Sequence, residues 1–169
     1  MVFGMSLATY TLIHVIISLI GIVSGLIVLF GMLGGKRLDG MTALFLVTTI
    51  LTSVTGYGFP FTHLTPADIV GAISLVLLAF AVVARYTKRL AGGWRSTYVI
   101  TAVIALYLNG FALVVQSFLK VPALHALAPN GNEPPFLISQ LLLMALFVVL
   151  GIRAVKKFHP ERVAVAQAA

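Results

Sequence analysis

Cysteine is absent from the chain. That excludes disulfides, thiolate-bound zinc and iron–sulfur centres, and it leaves the compartment unreadable from cysteine usage. Charge is scarce too. Only 9% of the 169 residues are Asp, Glu, Lys or Arg, whereas a soluble domain carries about 25%. With four acids in all, catalysis by paired carboxylates has little to draw on. There is no nucleophile elbow, phosphate-binding loop or zinc-protease helix. No internal repeat, low-complexity segment or linker breaks the chain.

Apolar sequence fills the space. Hydrophobic residues make up 60% of the chain and its mean hydropathy is +1.11. They run in stretches of about 20 residues, the length that crosses roughly 30 Å of hydrocarbon. Five spans are expected, near 9–33, 42–58, 67–86, 96–119 and 136–154. Lipid cannot satisfy backbone donors and acceptors, so the spans should be helices, and they are too long for barrel strands. The expected fold is all-α: one polytopic transmembrane helix bundle over 1–169. The first run is too long for a signal-peptide core and no Lys or Arg precedes it, so it reads as a retained span.

The net charge is +7. Its distribution points to a membrane and away from nucleic acid, because the basic residues sit in short clusters between apolar runs. Lys36 and Arg37 follow the first span. Arg85, Lys88, Arg89 and Arg95 flank the loop between the third and fourth, and Arg153, Lys156, Lys157 and Arg162 follow the fifth. Lys120 alone lies opposite. The positive-inside rule then predicts an outside N-terminus and an inside C-terminus. The second span is the least apolar, and four spans with a re-entrant second segment is the alternative. That alternative would set Lys88 opposite Lys36 and Arg37, against the rule.

Capping signals support the boundaries. Thr65-Pro66-Ala67-Asp68 fits a capping box with Pro at the first helical position. Ser96 is expected to cap the fourth span, and Pro134-Pro135 to open the fifth.

Helical spacing sorts the polar residues. His14, Ser18, Gly21 and Gly25 share a stripe, and the two glycines permit close helix approach. Thr48, Thr52 and Thr55 form a second stripe, beside Thr49, Ser53 and Gly56. Their hydroxyls either bond back to carbonyls of their own helix or line a cavity. Asn109 lies near mid-membrane, where an amide needs a partner, so it should point inward with Ala105, Ala112 and Gln116 on its face. Gln140 lies near the outer end of the fifth span. These groups fall in the outer half, and the inner half reads as apolar apart from terminal basic residues. A pocket would therefore open outward.

The candidate ligand-binding or proton-relay residues are His14, Thr52, Thr55, Asp68, Asn109, Gln116 and Gln140. Asp68 is accounted for equally by its capping box. His14, His63 and His125 form a weaker candidate set for a metal or haem, since imidazole suits both. No two histidines have helical i,i+4 spacing. The aromatic segment Tyr57–Phe61, with Trp94, Tyr98 and Phe158 on the inner side, reads as membrane-belt anchors. The proline-rich loop Val121–Phe136 reads as a lid or a docking surface.

The runs Thr52–Phe61, Lys120–Leu124 and Glu133–Phe136 resemble those of small, uncharacterised multi-pass bacterial membrane proteins, and the likeness spans most of the chain. The resemblance implies a bacterial inner membrane and no particular chemistry. Three functions follow as expectations. The first is a non-enzymatic ligand-binding protein or accessory subunit, alone as a homo-oligomer or beside a partner subunit. The second is a redox protein holding haem or quinone near His14. The third is a small proton-coupled transporter or channel through His14, Thr52, Asp68 and Asn109.

Overall fold

A computed structural model describes residues 2, 4–60 and 65–160. The order of elements is α1 (Leu7–Leu33), α2 (Asp39–Gly56), α3 (Pro66–Val82), α4 (Gly93–Lys120), a short α5 (Pro122–Leu127) and α6 (Pro134–Lys157). The five long helices are each long and apolar enough to cross a membrane. At 1.5 Å per residue, the 18 residues of α2 rise about 27 Å and the 27 of α1 about 40 Å. Even α2, the shortest and most polar of the five, is one continuous helix of nearly bilayer length. Large apolar side chains such as Leu12, Phe30, Val76 and Leu142 face outward along the bundle. That surface suits hydrocarbon and is the reverse of a soluble protein's. The chain is a polytopic transmembrane helix bundle.

Successive long helices run antiparallel, and α4 is the hub. It packs on α1, α2, α3 and α6, while α1 bridges α2 and α6, and α2 bridges α1 and α3. α3 and α6 therefore flank α4 at the two ends of an open arc, and α4 keeps a lipid-facing stripe through Ile100 and Ile104.

Small residues set the closest approaches. A Cβ on Gly25 would come within 2.5 Å of Leu106 Cδ1 and 2.8 Å of the Phe45 ring. Only glycine lets α2 and α4 close on α1 there, as the small-residue stripe predicts. The core continues through Leu29, Leu78, Val99 and Phe147.

Helix ends follow local chemistry. Thr65 and Asp68 form both bonds of the capping box at α3. Pro134 and Pro135 open α6. Ser96 does not cap α4: the helix starts at Gly93, and Gly92 takes the N-cap at φ 53°, a conformation natural to glycine. The 121–136 loop is not all irregular, since Pro122 starts the short helix α5. α3 ends in a π-helical turn, Val83–Thr87, followed by Arg89 and Leu90 at positive φ. Arg85 falls on the same helical stripe as the buried Ser74, Leu78 and Ala81, so the periodicity of α3 carries it toward the interior.

The aromatic anchors of the basic end divide. Trp94 is half-buried, with the Lys88 ammonium 5.5 Å from its ring centroid. Tyr98 and Phe158 are core residues, packed with centroids 6.0 Å apart. They do not act as belt anchors, because Arg95 donates to the carbonyls of Val155 and Phe158 and folds the end of α6 over α4.

Candidate functional site

Polar side chains gather at three levels of the bundle. At the end away from the basic clusters, α1 and α2 are clasped together. Tyr10 donates its hydroxyl to the Thr55 carbonyl at 2.7 Å, and His14 Nδ1 lies 2.8 Å from Thr55 Oγ1. The Thr55 hydroxyl already donates to the Leu51 carbonyl at 2.7 Å. With that proton on the carbonyl, the Thr55 oxygen accepts from His14 in its Nδ1-protonated tautomer, which leaves Nε2 as the basic nitrogen. Phe59 packs edge-on to both rings, at 5.0 Å from Tyr10 and 5.2 Å from His14. The histidine is half-buried and fixed in orientation.

The remaining candidates are dispersed. Thr52 donates to the Thr48 carbonyl, and Thr48 to that of Leu44, so the hydroxyl stripe largely bonds back into α2. Asp68 accepts from the backbone N–H and hydroxyl of Thr65 at the start of α3, while its carbonyl accepts from Tyr57. Gln140 is buried against α4 and donates to the Phe111 carbonyl at 3.4 Å. Gln116 is exposed near the C-terminal end of α4 and His125 on α5. His63 lies outside the described residues.

At mid-bundle, Asn109 points inward toward Gly21, where it meets Thr48 and Thr49. A different cluster lies at the basic end, where the sequence had suggested only apolar packing. Arg85 is buried to 1% side-chain exposure and pairs with Asp39, whose carboxylate is 67% exposed and also accepts from Arg37 at 2.8 Å. The guanidinium stacks 5.1 Å from the Tyr98 ring centroid, and buried Thr42 sits beside the tyrosine hydroxyl. Arg85 Nε has no hydrogen-bond partner. Two signals could have revealed this cluster. Arg85 is embedded in an apolar run, three residues inside Lys88, and Asp39 is the one acid at that end among the described residues.

The basic-end and central clusters are separated by the Phe45–Leu106 contact over Gly25. The cleft at this level, lined by Val28, Leu29, Phe45, Val103 and Leu106 among others, has no room even for a water molecule. Small-molecule pockets span roughly 300–1,000 Å³, so it is too small and too apolar for haem or a quinone head. Among the described residues no three His, Asp or Glu side chains converge to hold a metal ion. Among the described residues His14 meets Thr55 and Phe59 and no second imidazole.

Comparison of the chain with known protein families, curated proteins and solved structures gave no match.

Proposed function

We propose that this protein is a non-enzymatic subunit of a membrane assembly. The basic end faces the cytoplasm of a bacterial cell, and partner contacts are made through the outer half. The observation that carries this reading is the open arc of helices. α3 and α6 embrace α4 without closing on each other, and a face of α4 through Ile100 and Ile104 remains exposed. Gln116 is exposed toward the outer end of the same helix. An amide at or near the hydrocarbon gains from a partner that hydrogen-bonds it, and polar side chains of this kind join transmembrane helices. Most other polar groups are already engaged within the bundle, which supports a binding role over catalysis.

The transporter reading has less support, because the Phe45–Leu106 contact interrupts the polar groups between the two ends. The redox reading has less support too, since among the described residues no cluster of metal-ligating side chains forms around His14.

Native mass spectrometry of the protein released from membranes in mild detergent tests the proposal. The expected result is one discrete homo-oligomer or a stoichiometric partner, weakened by Gln116→Leu and by Ile104→Trp. A homogeneous monomer with no companion, from the native membrane as well as from overexpression, would overturn it.

A further inference from the structure

We propose that one water molecule is bound inside the bundle at Gly21, held by Asn109, Thr49 and Thr48 where α1, α2 and α4 meet. Three polar atoms converge on the notch that this glycine leaves. A Cβ on Gly21 would lie 3.1 Å from Thr49 Oγ1, 3.3 Å from Asn109 Nδ2 and 3.3 Å from Thr48 Oγ1. Thr49 is 1% exposed and Asn109 9%. Neither Thr49 Oγ1 nor Asn109 Nδ2 has a hydrogen-bond partner in the protein. An unsatisfied buried polar group is costly, and at this depth bulk solvent cannot supply the bond. Gly21 stands near the middle of α1, with α2 and α4 covering it.

The chemistry of the three groups selects the occupant. The Thr48 hydroxyl donates its proton to the Leu44 carbonyl at 2.7 Å, so it offers a lone pair to the notch. Asn109 Nδ2 offers a proton. The occupant must therefore accept from Asn109 and donate to Thr48. A metal cation cannot accept, and a halide cannot donate. Water does both, and Thr49 takes a third bond in either sense. Three bonds is the usual complement of a buried water. Turning the Asn109 amide over would replace a donor by an acceptor, and only in that arrangement could a cation compete with water, an alternative the test below separates.

The site gives Gly21 a role different from that of Gly25. The notch at Gly25 is filled by Leu106 and Phe45, whereas the notch at Gly21 faces polar atoms. The first glycine permits packing and the second hydration.

The test is magic-angle-spinning NMR on the full chain, isotopically labelled in lipid vesicles, with magnetisation passed from water protons to the protein. The Asn109 side-chain nitrogen should receive the transfer, while the backbone amide of Leu106 in the apolar core stays dark. Gly21→Ala should reduce the Asn109 signal to background, and Gly56→Ala, which meets nothing within 4 Å, should leave it intact. Thr49→Val keeps the volume and removes a ligand, and should also weaken the transfer, which covers the case in which Gly21→Ala does not fold. An Asn109 side chain dark to water in the unmodified protein would overturn the proposal. So would a transfer unchanged by both substitutions, or a melting temperature that responds to sodium or potassium but not to choline, which would identify a cation.

Discussion

Arg85 is the residue whose position most exceeds what its neighbours in sequence suggest. It stands in a run of basic residues that the charge pattern treats as a solvated rim. It falls instead on the buried stripe of α3 with Leu78 and Ala81, against Tyr98 and Asp39. The pair is lopsided, with a dry guanidinium and a wet carboxylate, and the two partners should therefore respond differently to removal. Asp39→Asn strands a buried cation. Breaking a fully buried pair costs about 3–5 kcal/mol, and the exposure of Asp39 discounts this to roughly 1–3 kcal/mol. Arg85→Met replaces the cation with an apolar side chain of similar length and leaves Asp39 paired to Arg37, so stability should change by less than about 1 kcal/mol. Unfolding of both variants in mixed micelles checks the order, and a larger loss for Arg85→Met would contradict it. Glu133 offers a second residue-scale prediction. Slight desolvation pushes its pKa up, but hydrogen bonds from Asn130 and Asn132 and from the backbone outweigh that, and the carboxyl titrates below the ordinary glutamate range. Its contribution is thus fully present above the unfolded-state pKa and is lost as pH falls through the depressed one. The Glu133 side-chain carboxyl signal, followed by NMR across an acid titration, should have its midpoint below the ordinary glutamate range, and a midpoint at or above that range would refute the assignment.

At the scale of elements, the helices were legible because their cause is local. Length of apolar run, the Thr65–Asp68 box and the Pro134-Pro135 pair each act within a turn or two, and α1, α3 and α6 begin close to where these signals fall. Ser96 misled because a favourable capping side chain is only an opportunity. Gly92 can adopt positive φ, and the helix starts there. The inward position of Arg85 was legible in its spacing from Ser74, Leu78 and Ala81, but its pairing with Asp39 was not, because tertiary packing brings α2 beside it. The candidate residues were legible only in part for the same reason. Spacing put Asn109 on an inward face, but which helix it met depended on tertiary packing. The glycine stripe gives the prediction at this scale. Gly25→Ala drives a methyl into Leu106 and Phe45, and overpacking of this kind costs about 1–3 kcal/mol. Gly56→Ala meets open space and should be neutral or slightly stabilising. Thermal unfolding of the two variants side by side decides it, and equal melting temperatures would show that α1 does not sit as closely on α2 and α4 as described.

For the whole molecule, the account reduces to five crossings with every basic cluster but Lys120 on one side. The helices alternate in direction, so Lys36, Lys88, Arg95 and Lys157 share one end and Lys120 lies at the other. If α2 failed to cross, Lys36 and Lys88 would part company. A chain without cysteine is well suited to the decisive measurement. Single-cysteine variants Lys36→Cys, Lys88→Cys and Lys120→Cys are treated in intact cells with a maleimide that cannot cross the membrane in which the protein sits, then again after permeabilisation. The account predicts labelling of Lys120→Cys in intact cells, and of Lys36→Cys and Lys88→Cys only once the membrane is opened. Opposite behaviour of Lys36→Cys and Lys88→Cys would contradict the five-span bundle, and labelling of both from outside would contradict its orientation.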